Sequence, residues 1–102
     1  MDKIFKALAD VNRRRVLTLL NKGDMSVNQL LFHFKNIGQS TLSNHLAILR
    51  KAGLVTFVID GKRRIYRINR ELILAFAENM RKFIGKIDEN FIKDIEIRGI
   101  KV

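Results

Sequence analysis

The run GQSTLSNHLAILRKAG, residues 38–53, constrains the fold more than any other stretch of the chain. Leu42, Leu46 and Leu49 recur at the spacing that puts them on one side of an α-helix, while Ser40, Ser43, Asn44, Ala47 and Lys51 fall on the other. One edge must be buried against a core. The other is short and hydrogen-bonding where an ordinary surface helix carries Glu, Lys and Arg. Two outcomes fit such an edge: a solvated helix that happens to be rich in Ser and Asn, or a face open to the close approach of another polymer. In a DNA major groove, Gln and Asn can offer an adenine edge a donor and an acceptor together, Ser serves either partner, and a Thr methyl can meet that of thymine. The neighbouring segments have to decide.

Upstream, Ser26 and Gln29 have the spacing of a capping box, and Met25 with Leu30 that of a hydrophobic staple. This predicts a helix running to about Phe34 that buries Leu30, Leu31 and Phe34, with His33 at its edge in no special role. Lys35 to Gly38 is a short turn containing glycine. Helix, turn of about four residues and helix make a helix-turn-helix over residues 26–53. Gly53 closes its second member, and the pattern then changes period. Leu54 to Ile59 is β-branched and aromatic, Asp60-Gly61 is a two-residue hairpin signal, and Ile65 to Ile68 returns, which predicts a two-stranded wing over 54–69. Its tip and return strand carry Lys62, Arg63, Arg64 and Arg67. One or two of these could serve only to guard a bare hairpin edge against aggregation. Four within six residues, beside the polar helix, point to phosphate or minor-groove contact.

At the start of the chain Asp2 can cap a short helix with Ile4, Phe5 and Leu8 on one side. A second helix opens after Asp10, with Arg13, Arg14 and Arg15 in its first turn, Val16, Leu17 and Leu20 as its buried edge, and Gly23 able to end it in a left-handed conformation. Cations at a helix start oppose the dipole by roughly a few tenths of a kcal/mol each. Carboxylates such as Asp10, or a phosphate, should therefore hold them. Asn69 can cap a last helix over 70–90, where Leu72, Ile73, Phe76, Ala77, Met80, Phe83, Ile84 and Ile87 form an apolar surface too wide for one packing contact. A second copy of the chain is the expected cover, a ligand pocket the alternative. Residues 91–102 alternate loosely with period two from Ile95 and fit a short strand, a swapped arm or a frayed tail.

Charge says what kind of polymer could approach. The net charge is +10, and all of it lies in the first 70 residues: 1–53 hold 9 basic and 3 acidic side chains, 54–70 hold 5 and 1, and 71–102 hold 6 and 6. A surplus confined to the helix-turn-helix and wing is an electrostatic footprint for phosphates, against the blander reading of a solvated basic surface. A polybasic membrane patch fits less well, because the cations are spread over several elements without an amphipathic aromatic face. The 102 residues suit a single domain over 1–102, near the size where a partner chain often helps. With no Cys, neither disulfides nor thiolate metal sites can form, and two histidines are too few for a convincing zinc site, so no cofactor is expected. Neither a signal-peptide core nor a run of ~20 apolar residues is present, which predicts a cytoplasmic protein without membrane insertion. Paired carboxylates, a nucleophile with its base and a Gly-rich phosphate loop are also missing, so an enzyme is not expected.

The stretches FKALAD-x-x-RRRVLTLL, QSTLSNHLAILRKAGLV and the hairpin ending in IYRIN resemble the ArsR-type family of winged helix-turn-helix repressors over roughly residues 4–70. The resemblance implies a mainly α fold with a β-hairpin wing, in the order four helices, two strands, one helix. It further implies a homodimeric repressor that binds a palindromic operator on double-stranded DNA. By the family pattern Gln39, Ser40, Ser43 and Asn44 face bases, with Thr41 and His45 nearer the backbone or the core. Lys62, Arg63 and Arg64 complete the DNA-binding set. The first and last helices of such proteins usually form the dimer interface, which here falls on Ile4, Phe5, Leu8, Phe76, Met80 and Phe83. There are departures too. Val27 to Phe34 holds no cysteine and residues 70–90 no histidine, the positions from which family metal sensors draw ligands, and Val11 stands where the family often has Pro. The chain is thus similar to the metal-free autorepressor type, relieved by a regulatory protein or a small-molecule ligand, with the tail after Glu89 as a candidate docking place. A sequence-independent architectural DNA binder and a winged-helix protein-interaction module are the competing expectations.

Overall fold

A computed structural model describes residues 1–98, which divide after Asn69 into two units. The first contains α1 (Asp2–Leu8), α2 (Val11–Lys22), β1 (Met25–Ser26), α3 (Val27–Leu31), α4 (Gln39–Lys51), β2 (Val55–Asp60) and β3 (Arg63–Ile68). The second contains α5 (Arg70–Ile87) and α6 (Phe91–Arg98). Val16 and Leu20 of α2, Leu30 of α3, Leu42, Leu46 and Leu49 of α4, and Leu54 and Val55 at the entry to the wing are all fully buried. At about 1.5–3 kcal/mol for each such side chain removed from water, this seam is what holds α4 in place. Its leucines are those of the 3.6-residue repeat, whereas α2 turns Leu19 rather than Leu17 inward.

The capping box at α3 forms in full. Ser26 Oγ accepts from the Gln29 backbone N–H at 3.2 Å, and Gln29 Oε1 accepts from the Ser26 N–H at 2.8 Å. Ser26→Ala is expected to cost about 0.5–2 kcal/mol, read as a lower urea midpoint with an unchanged slope. The helix that follows is shorter than expected. After Leu31 the chain tightens, with His33 N–H bonded to Leu30 O and Phe34 N–H to Leu31 O at 3.0 Å each, the three-residue closure common at helix ends. That tightening re-aims the side chains: Leu31 and Phe34 are only half-buried, and Phe32 is 87% exposed.

α4 ends in a Schellman motif, with Leu54 N–H on Leu49 O at 3.0 Å and Gly53 N–H on Arg50 O at 2.9 Å. Gly53 can sit at φ 80 because it has no Cβ. Gly23, by contrast, ends α2 in extended rather than left-handed backbone, at φ 165. The sheet is antiparallel in the order β1-β3-β2, so the hairpin is joined by a third strand, the short β1, which pairs Met25 with Tyr66 and Ser26 with Ile65. Asp60 pairs with Arg63, making Gly61-Lys62 the two-residue turn, one position later than the Asp60-Gly61 signal. Gly61 takes φ 64, and among the described residues no other residue type has a positive φ, as a hairpin turn with glycine at its first central position requires. The result is a mainly helical winged helix-turn-helix.

The region beyond residue 90 is helical where it is described. α6 puts Phe91 and Ile95, four apart, on its half-buried side and leaves Ile97 exposed. Residues 99–102, part of the expected alternation, lie outside the described residues.

Candidate nucleic-acid interface

Burying the leucine edge of α4 forces its other edge outward. Gln39, Ser40, Thr41, Ser43 and Asn44 are all exposed, and among the described residues none of these side chains is committed to an internal hydrogen bond. His45 departs from the expected DNA-contacting set. It is 9% exposed and sits on the buried side with Leu42, Leu46 and Leu49. Its Nδ1 lies 3.2 Å from Arg13 Nη1, and its Nε2 lies 4.0 Å from Asp10 Oδ1. Because Arg can only donate, Nδ1 acts as acceptor and the proton is assigned to Nε2, facing the carboxylate. His45 therefore ties α4 to the start of α2.

That junction also resolves two of the arginines at the start of α2. Asp10 caps the helix, accepting from the backbone N–H groups of Asn12 at 2.8 Å and Arg13 at 3.2 Å, so its carboxylate serves the backbone and not the guanidinium groups. Arg13 donates instead to Ala7 O at 2.7 Å and Lys6 O at 2.9 Å, and Arg14 to Leu8 O at 2.8 Å. Cations placed on the terminal carbonyls of α1 complement that helix's dipole. Desolvation pulls the Asp10 carboxyl upward. The N–H groups of Arg13 and Asn12, with the His45 imidazole facing it and the charge of Arg13, outweigh it and hold the group below the ordinary Asp value. The stabilisation this gives is present above the ordinary Asp range and fades as pH falls through the lowered value.

The wing is fixed to α4 by an aromatic contact. Phe57 pairs across the strands with Tyr66, ring centroids 5.4 Å apart, and the guanidinium groups of Arg50 and Arg64 lie 5.3 and 4.7 Å from the Phe57 centroid. Lys62, Arg63 and Arg64 are exposed at the tip. Arg63 stands 3.8 Å from Asp60, a loose pair between exposed groups, which leaves its charge largely available. Arg67 differs, being bonded to Asp24 at 2.9 Å. Between the wing and the helix-turn-helix runs a cleft of about 250 Å³, lined by Ser26, Val27, Asn28 and Gln39 of the helix-turn-helix and by Lys62, Arg63 and Arg64 of the wing. Asn28, which lines the cleft, and Arg50, which lies over the Phe57 ring, are not in the expected set. Their signal was helical spacing that leaves them off the buried seam, which any surface residue shares.

The expected dimer residues are placed unevenly. Ile4 is buried at 9%, Phe5 and Phe83 are 46% and 54% exposed, and Leu8, Phe76 and Met80 are half-buried. No residue of α5 is fully buried, and Leu74 and Ile87 are 67% and 71% exposed. Among the described residues no helix is long and apolar enough to cross a membrane.

Comparison with known proteins places this geometry. Residues 10–56 match the model for "Bacterial regulatory protein, arsR family". The chain is 34% identical over 90 residues to the transcriptional repressor SdpR of Bacillus subtilis, covering 88% of this chain and 99% of that one. A crystal structure described as a possible transcriptional regulator for arsenical resistance superposes with a TM-score of 0.74 at 32% identity, covering 92% of this chain and 96% of the other. The solution structure of a homodimeric winged helix-turn-helix DNA-binding domain from Mycobacterium bovis, a possible ArsR-family regulator, gives a TM-score of 0.67 at 27% identity over 86% and 82% of the two chains.

Proposed function

Because this chain belongs to the ArsR family of DNA-binding transcription regulators, a non-enzymatic family, we propose that it is a repressor that binds a palindromic operator as a homodimer and is not governed by a metal at the usual family sites. The observation that carries this reading is the outward polar edge of α4, held there by a fully buried leucine seam and bordered by the cations of the wing. Gln39, Ser40, Ser43 and Asn44 meet base edges in the major groove, Thr41 lies nearer the backbone, and Lys62, Arg63 and Arg64 meet phosphates or the flanking minor groove. The relative named a repressor supports the sign of regulation.

Two recognition helices about 34 Å apart enter successive major grooves on one DNA face, which requires a second copy. The apolar face of α5, with Phe76, Met80 and Phe83, and the exposed Phe5 of α1 are the surfaces we assign to it. A face of that extent left to water is costly, and the related Mycobacterium bovis domain is a homodimer. Without cysteine in the chain, or histidine in α5, the ligand sets from which family sensors bind metal are missing. Release is assigned to a regulatory protein or a small-molecule ligand.

Asn44→Ala is expected to cost about 1–3 kcal/mol on the cognate duplex and to relax base preference there, while Arg63→Ala weakens cognate and random duplexes alike. Competition titrations with both duplexes check this. Equal losses on the two duplexes for Asn44→Ala would contradict the base-reading role and favour an architectural binder.

A further inference from the structure

The consecutive arginines at the start of α2 do not share one role. Arg13 and Arg14 are engaged by the carbonyl oxygens at the end of α1. Arg15 is bonded to neither α1 nor any carboxylate among the described residues. Its guanidinium lies 5.2 Å from the centroid of Phe34, which fixes its place without neutralising it. It borders a notch of about 330 Å³ in which Asn12 and Arg15 of α2 face His33, Phe34, Lys35 and Asn36 of the turn before α4. Lys35 is exposed and likewise without an ion-pair partner among the described residues. No wall of the notch is acidic. The residues that line it carry a guanidinium, an ammonium, two carboxamides and an imidazole, a donor set that suits a tetrahedral oxyanion.

Position narrows the source of that anion. Ile37, also in the notch, directly precedes Gly38, the N-cap of α4, so the notch abuts the start of the recognition helix. The cleft on the wing side touches the same end of α4 through Gln39. α3 separates the two: its first residues line the cleft, and the turn after its last residue lines the notch, roughly 7 Å or more further along at 1.5 Å per residue. A helix seated in a major groove about 12 Å wide has a phosphate backbone on each side. We infer that Arg15 and Lys35 hold a backbone phosphate of duplex DNA, apart from those met by the wing. This rests on the reading of α4 as the helix that enters the groove.

The test is the salt dependence of binding to a random-sequence duplex, measured for Arg15→Gln/Lys35→Gln and for Lys62→Gln/Arg63→Gln. The slope of log K against log salt should become shallower by about 0.9 for each phosphate that is no longer neutralised, and Arg15→Lys should restore most of the Arg15 share. If the notch pair leaves the slope unchanged while the wing pair lowers it, the notch inference is overturned and the DNA reading stands. If neither pair moves it, both fall. Lys35→Gln alone, at an exposed position, gives the same readout should the double variant fail to fold. Inorganic phosphate supplies the remaining arm. A saturable shift of the Arg15 Nε–H resonance in free protein, together with an unchanged DNA slope, would assign the notch to a free anion and overturn the proposal.

Discussion

Between 50 and 200 mM salt the affinity for duplex DNA is expected to fall by about 10³ to 10⁵, as it does when six to ten phosphates are neutralised and their counterions released. The expectation follows from where the charge lies. The +10 surplus is confined to the first 70 residues, and Arg15, Lys35, Lys62 and Arg64 have no carboxylate partner among the described residues. Arg67 is paired with Asp24 within the protein and should add little to the slope. Fluorescence anisotropy at several salt concentrations measures it. Affinity that survives high salt would instead indicate an apolar protein-binding surface.

Leu46→Ala is expected to destabilise the fold by about 2–5 kcal/mol, since it removes a fully buried side chain from the middle of the seam and leaves a cavity. That is a large fraction of the roughly 5–15 kcal/mol typical of a small domain. The functional consequence follows from the geometry: the same seam holds the polar edge outward, so DNA affinity should fall with the folded fraction. Leu17→Ala, at a half-buried site on α2, should cost clearly less. Urea denaturation of the two variants side by side decides it. Equal costs would mean that α4 is not held by this seam.

What could be read in the sequence was what repeats or has fixed local spacing. α4 was legible because both of its edges obey one period, and the start of α3 because Ser26 and Gln29 satisfy each other across three residues. Less was legible where geometry comes from distant partners. β1 is two residues long and exists through pairing with Tyr66 and Ile65, while Ser26 serves at once as strand and helix cap. The partners of Arg13 and Arg14 are backbone carbonyls of α1, which carry no sequence signature. His45 falls beside the leucine seam by spacing, yet only the arrangement of Asp10 and Arg13 supplies polar partners that let an imidazole be buried there. In the tail, the Ile95 and Ile97 alternation hid the four-residue spacing of Phe91 and Ile95 that α6 uses.

The central claim is that the side chains of Gln39, Ser40, Ser43 and Asn44 read bases from the major groove. Selection of bound duplexes from a random-sequence pool, followed by sequencing, tests it most directly. Enrichment of an inverted repeat whose half-sites are centred about 10 base pairs apart is the predicted result, with Asn44→Ala losing preference at one position in each half-site. A pool that emerges unenriched, although it was bound, would contradict it.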